Sequence, residues 1–569
     1  MKFKIKGVGD INLSQKDFLA DGGEGDVYAK GKTAYKIYKD FNKMLPYAKI
    51  QELSVLDHPN IIRPREVLFD NKNRAVGYSM SLVDGLPMCQ LFTKTFCQRN
   101  NIEHEAKVDL VKKFRNLVQF VHQHDGILIV DLNELNFLVN KSFDDLYAID
   151  VNSYQTKSFP ATVIMDSIRD RHCNNKFTKE TDWFSWGIVT FQLLVGIHPY
   201  KGKHPITQGV NRNDWLDKRM EKNISVFNKD SSVPKVCQPF DVIPKSLLAW
   251  YKAVFEDGKR IPPPLDFEVS GPIAIVVKKI AGSNLFNIVE INAYPSDILN
   301  VFVFNGNRFI LTDKTLHSGD KFYSLPSNDV KVTIADKSRR PFAVYLENNQ
   351  VQVFDVVGQK NIPFTCNASA IVQVNDRIYA QNGINILELM LYEYGSNIQV
   401  LSKIAGQALD LPGATKAFDG VIFQNLLGRR HAVLFPEQSK CYQIGIPELD
   451  HHKIVDAKYR NNVLVVVGVD HDGKYHRFVM RFSSDYSKYD LRKVENITYT
   501  GINFTVNDAG IGTLINEEEK MEAFSNQKDS GTVKMLEDPV VESDMKLYND
   551  GTKILFTRGK TLHSIGMKP

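Results

Sequence analysis

The chain has 569 residues, 43% hydrophobic and 24% charged, with a formal net charge of +5 at pH 7. That composition is ordinary for a soluble globular protein, and the length exceeds one hydrophobic core, so two or three domains are expected. The small charge and the lack of a Lys/Arg block speak against nucleic-acid binding, and six scattered cysteines with no CxxC pair offer neither a zinc nor a dithiol motif.

The opening MKFKIKGVGDINLS alternates without an apolar core, so it reads as a strand and not a signal peptide. Residues 18–38, FLADGGEGDVYAKGKTAYKIY, predict two short strands around a glycine cluster, a tight turn at Gly31, and a third strand carrying Lys36. Glycines in such a hairpin let the backbone approach a phosphate with no side chain between. PYAKIQELSVL predicts a short helix before HPNII (His58–Ile62), and Gly77–Met80 a strand running to Asp84-Gly85. Val108, Val111, Phe114, Leu117, Val118 and Val121 recur at helical spacing, so 107–123 reads as an amphipathic helix. His122 and His124 at its end are expected to cap it or face solvent.

The stretch from His122 to Gln155, HQHDGILIVDLNELNFLVNKSFDDLYAIDVNSYQ, carries the chemistry. Asp131 precedes Asn136 by five residues. Two apolar strands then flank a turn, and the second ends in Ile149-Asp150. Such a strand–turn–strand unit presents two carboxylates and a carboxamide to one small volume. Downstream, KETDWFSWGIVTFQLLVGIHPYKG predicts a helix capped by Thr181 and apolar on nearly all sides. It is therefore buried, and from Trp183 to Val195 it is too short to span a bilayer.

Taken together, GGEGDVY, KIY, DLNELNFLV, IDVNSYQ and DWFSWGIVTFQLLVGIHPY resemble the protein-kinase-like superfamily over about residues 10–265. The version looks like a divergent group of bacterial and bacteriophage serine/threonine kinases. The resemblance implies a bilobal α+β domain, with an N-lobe at about 1–80 and a C-lobe at about 85–265. It implies ATP and Mg²⁺ as cofactors. Lys36 would lie on the α- and β-phosphates, Asp131 would orient the acceptor hydroxyl, and Asn136 with Asp150 would hold the metal. The nucleotide site would comprise Gly22, Gly23, Gly25, Val27, Ala34 and Lys36, with Met80 near the adenine and the Ser81–Val83 backbone, including Val83, at its edge.

The departures from the family pattern carry expectations too. The helix acid that pairs with the strand lysine falls on Lys49, so Glu52, one turn on, is its substitute. H-R-D is Ile129-Val130-Asp131, which removes the usual receptor for an activation-loop phosphate. The lysine after the catalytic Asp is Asn133. D-F-G is Asp150-Val151-Asn152, with Val151 in an apolar slot and Asn152 tolerating positive φ. Met165-Asp166-Ser167 replaces A-P-E, so Arg260 is expected to pair with Asp166 or another nearby acid. Asp182 is expected to fix the catalytic-loop backbone.

After Pro262-Pro263-Pro264 the character changes. Residues 266–569 show seven paired short strands with Asn, Gly or Asp turns, spaced as in propeller blades. RFILTDKTLHS (308–318) and KILFTRGKTLHS (553–564) look like one unit at two ends of a closed ring. Seven blades are expected, with six blades or a β-sandwich pair as alternatives. His451-His452 and Asp470-His471-Asp472 read as surface loop, and Glu517–Glu519 as a solvated turn. The leading reading is a cytoplasmic serine/threonine protein kinase (in the host cytoplasm if viral). Its propeller docks a protein partner or substrate, with no nucleic-acid or membrane partner. The alternatives are a nucleotide-binding pseudokinase scaffold, a small-molecule kinase, and a structural component of a larger, for instance viral, assembly.

Overall fold

In the computed structural model the described residues are 1–5, 8–22, 24–174, 176–267, 283–395, 397–411, 413–498 and 500–568. The chain begins with a seven-stranded antiparallel sheet. Its spatial order is Gly9–Asn12, Lys2–Ile5, Val67–Phe69, Ala75–Ser81, Thr33–Tyr38, Gly25–Lys30, Phe18–Asp21. Cross-strand partners share a face, and the register pairs Val27 with Lys36, Lys36 with Tyr78, and Ala34 with Met80. These side chains therefore line one face, while Tyr28, Tyr35, Ile37 and Val76 belong to the core of the other.

Below the sheet lies a helical lobe. The helix His104–His122 packs on Lys179–Val195, whose side chains from Thr181 to Val195 are all buried. That helix starts one turn earlier than the sequence suggests. Thr178 is its N-cap and Thr181 sits at the third helical position, each side chain meeting the other's backbone N–H in a capping box. It ends at Gly196 (φ 90°), where a left-handed residue closes the last turn. Among the described residues no helix is long and apolar enough to cross a membrane.

Among the described residues the second half is built of β-strands, apart from one 3-10 turn at Pro447–Leu449. Every one of the seven hairpins expected from alternation is present, each extended by outer strands into a four-stranded antiparallel sheet. Six sheets use consecutive strands. The seventh joins the region's first strand, Phe286–Ala293, to its last three, ending with Thr561–Met567. Apolar clusters link neighbouring sheets in succession, and one made by Ile298, Val301, Ile310, Leu555 and Leu562 links the first sheet to the last.

The two halves share cores. Val455, Val467, Val469, Tyr475 and Ile497 belong to the same apolar cluster as the C-lobe helices, and Leu411 and Ala414 cover the outer face of the N-terminal sheet. Glu517 is a correction to the sequence reading. It is buried between Arg212 (2.5 Å) and Arg477 (2.7 Å), so the triple-Glu turn is an inter-half contact and not a solvated one.

Candidate active site

Lys36 comes from the inner face of the sheet, and its ammonium is buried. It meets Asp150 Oδ1 at 3.0 Å and Glu24 Oε2 at 3.1 Å. Burial works against its charge. The neighbouring Tyr78, Asp150 and Glu24 outweigh that and hold its pKa well above the ordinary lysine value. Asn152 completes the cluster. With its amide turned to suit its neighbours, its nitrogen donates to Asp150 Oδ1 (2.8 Å) and to Tyr78 Oη (2.6 Å), and its oxygen accepts from Lys36 (3.3 Å).

Glu52 is not the partner of Lys36. It accepts from the backbone N–H of Ser158 at 3.2 Å, on the outer side of its helix. The lysine's acids are instead Asp150 and Glu24, from the glycine hairpin. Lys49, at the position where an acid was sought, is buried and donates to the Asn152 carbonyl at 2.8 Å, which ties the short helix Tyr47–Leu53 to the turn after Asp150. Burial lowers its pKa. A missing helix acid was the available signal that another acid must be recruited, and Glu24 is one of the two acids within GGEGD.

The hairpin Phe137–Val139/Leu146–Ala148 positions Asn136 and Asp150 at its two ends, where the Ile149 N–H donates to the Asn136 carbonyl at 2.9 Å. The Asn136 amide nitrogen donates to the Asp131 carbonyl (3.0 Å) and to Asp131 Oδ2 (3.2 Å). Both bonds use the nitrogen, so the amide oxygen could ligate a cation. Asp150 meets Lys36 through Oδ1 alone, which leaves it a second oxygen. Two hard oxygen donors of this kind suit Mg²⁺. Positive φ falls on Asp150 (57°), not on Asn152, which lies within the 3-10 turn Val151–Ser153. Val151 is buried in the C-lobe core.

Asp131 is held by two further contacts. Its Oδ1 accepts from the Met165 N–H at 2.8 Å, and burial raises its pKa against the pull of these hydrogen bonds. Its backbone is set by Asp182, which is 0% exposed. Asp182 accepts from the N–H groups of Ile129 and Val130, both at 2.8 Å. Val130 has φ 61°, a strained conformation for a β-branched residue, which this carboxylate holds in place. His122 is buried, not a surface cap: its Nε2 lies 2.9 Å from Asp182. His124 does bond its own helix, at the Phe120 carbonyl (3.0 Å).

Arg260 forms a bidentate pair with Asp170 (2.5 and 2.7 Å), while Asp166 takes Arg171 at 3.2 Å. Burial pushes Asp170 up, but the Arg260 hydrogen bonds and charge win and leave its pKa lowered.

On the hairpin, Gly25 runs so close to its neighbour that an added Cβ would sit 2.4 Å from the Ile37 carbonyl oxygen. Gly22 donates to the Gly25 carbonyl at 2.9 Å, and Gly23 lies outside the described residues. Val27, Ala34 and Met80 share the sheet face of Lys36, and Leu82, next to Val83, donates to the Lys32 carbonyl at 3.0 Å. Among the described residues no group of three or more His, Cys, Asp or Glu is placed to hold a metal.

No protein-family profile matches the chain. Among curated proteins it is 27% identical over 250 residues to calcium-dependent protein kinase 5 of Plasmodium falciparum, covering 39% of this chain and 41% of that protein. It is 30% identical over 174 residues to myosin light chain kinase A of Dictyostelium discoideum, covering 29% of this chain and 56% of that one. The chain thus spans about half or less of the length of these relatives. A solved structure, the Cydia pomonella granulovirus kinase PK-1, overlaps 43% of this chain and 86% of its own, with a TM-score of 0.32 and 13% identity. In sequence and in the residues its two lobes bring together, the N-terminal part of this chain is protein-kinase-like.

Proposed function

We propose that the chain is an ATP- and Mg²⁺-dependent serine/threonine protein kinase, joined to a seven-bladed β-propeller that docks a protein partner or substrate. One observation carries the reading. Lys36 pairs with Asp150 at 3.0 Å, Asn136 with Asp131 at 3.2 Å, and the Ile149 N–H beside Asp150 joins the two pairs at the Asn136 carbonyl (2.9 Å). Phosphoryl transfer asks a protein mainly for positioning and charge. Lys36 binds and orients the α- and β-phosphates beneath the Gly22–Gly25 hairpin. Asn136 and Asp150 hold Mg²⁺, which when bound neutralises charge on the phosphate oxygens. Asp131 orients the acceptor hydroxyl and takes up its proton, a task suited to a half-buried carboxylate with a raised pKa.

The propeller reading draws on the seven sheets and on the apolar cluster that links first to last. A broad ring of this kind suits protein binding, and a cytoplasmic location fits six free cysteines.

The test is incorporation of label from γ-labelled ATP into the protein or a generic acceptor, with Asp131→Asn as control. Transfer in the wild type that falls at least ~100-fold in the variant supports the assignment; equal transfer in both removes Asp131 from its role. The Met165 N–H on Asp131 favours a second reading, a nucleotide-binding pseudokinase. ATP with Mg²⁺ would then raise the melting temperature without transfer.

A further inference from the structure

Asp131 Oδ2 accepts from the Asn136 amide and Oδ1 from the Met165 N–H, and on the kinase reading an acceptor chain approaches past Met165 and Glu134. That side is covered. Tyr475 of the β region donates to Glu134 Oε1 at 2.6 Å, both groups buried, three residues along the loop from Asp131. Gly473, in the turn just before it, adopts φ 74°. It lies so close to the segment bonded to Asp131 that an added Cβ would stand 2.2 Å from Met165 Sδ and 2.9 Å from Ser167 Oγ. Lys201 of the C-lobe clasps the same element, its ammonium 5.7 Å from the Tyr475 ring centre and donating to the Ile497 carbonyl at 3.2 Å.

The small cavity lined in part by Glu134, Ser167, Lys201 and Tyr475 is about 20 Å³. That admits a water molecule and excludes a serine or threonine on a peptide. The contact belongs to a larger seam. On the other lobe Arg430 meets Asp21 of the glycine hairpin at 3.2 Å, so the β region is anchored on both sides of the cleft.

We propose that the Asp470–Tyr475 turn is a built-in plug of the acceptor site, which an external protein acceptor reaches only when the turn lifts. This rests on the kinase reading above. It makes the β region an intrasteric inhibitor, with the turn competing for the surface that a substrate chain needs.

The test uses the full chain with two variants outside the catalytic set. Tyr475→Phe removes the hydrogen bond and keeps the ring. Gly473→Ala places a methyl group against Met165. Dephosphorylated casein is the acceptor, the KM for ATP is measured alongside, and hydrogen exchange follows the amides of residues 163–168. The plug predicts at least a fivefold faster transfer to casein in each variant, an unchanged KM for ATP, and faster exchange at 163–168. Equal or slower transfer in folded variants that bind ATP overturns it, as does unchanged exchange. If ATP with Mg²⁺ fails to stabilise even the wild type, the kinase reading itself has failed, a different result from a plug whose release changes nothing.

Discussion

Asp182 offers the sharpest test of how the catalytic loop is held. It is wholly buried, sixty residues from His122 and fifty-one from Asp131, and accepts from Ile129 N–H, Val130 N–H and His122 Nε2 at 2.8–2.9 Å. Asp182→Ala leaves two buried backbone donors without an acceptor. At about 1–3 kcal/mol each, the expected loss is about 2–6 kcal/mol. The strained φ of Val130 then has nothing to hold it, and relaxation there moves Asp131, the next residue. In a lobe of this size about 2–4 °C is lost per kcal/mol, so thermal unfolding should start roughly 10 °C earlier. Lys36 and Asp150 do not touch Asp182, so the KM for ATP should stay within about twofold while kcat falls about 100-fold, as expected for a catalytic group displaced by an ångström. Calorimetry and steady-state kinetics on the same preparation check both. An Asp182→Ala protein with wild-type melting and wild-type kcat would refute the argument.

Other outcomes follow from neighbouring pairs. Asp170→Ala strands Arg260 in a largely buried site and should cost about 3–5 kcal/mol by denaturant unfolding; a loss below about 1 kcal/mol would mean the pair is not held in solution. Burial raises the pKa of Asp131, and in its proposed role as base it must be ionised to work. The acid limb of kcat/KM should therefore fall as pH drops through a value above the ordinary 3.8, and an inflection below 3.8 would contradict the burial. Glu24→Gln removes one of the two acids on Lys36, but the glutamate side chain is 54% exposed and Asp150 remains. Stability should change by no more than about 1 kcal/mol, whereas a large drop in melting temperature would make Glu24 a structural anchor.

Local patterns carried much of this architecture. Period-two alternation broken by Asn and Gly turns located all seven β hairpins, and the Asp131–Asn136–Asp150 spacing located the hairpin that joins the loops. What local patterns could not carry are partners far away in sequence. His122 sits at a helix end, where a cap is the ordinary expectation, yet its partner Asp182 arrives with the next long helix. Glu517 looks like any acidic turn until Arg212 approaches from three hundred residues upstream. Thr178 and Thr181 both satisfy a capping pattern three residues apart, and only the backbone geometry assigns which is the cap. The exchange of roles at Lys49 and Glu24 was half visible. The family spacing puts Lys49 where the acid is expected, but the acid that replaces it lies on another element, brought near by the sheet and not by helical spacing.

The central claim is that Asn136 and Asp150 hold the divalent ion of a nucleotide bound beside Lys36. The most direct measurement is a crystal structure with a non-hydrolysable ATP analogue and Mn²⁺, the ion located by its anomalous signal. The account predicts Mn²⁺ about 2.0–2.3 Å from the Asn136 amide oxygen and an Asp150 carboxylate oxygen, with the phosphates against Lys36. An ion or triphosphate bound away from these three residues, with the Lys36–Asp150 pair undisturbed, would contradict it.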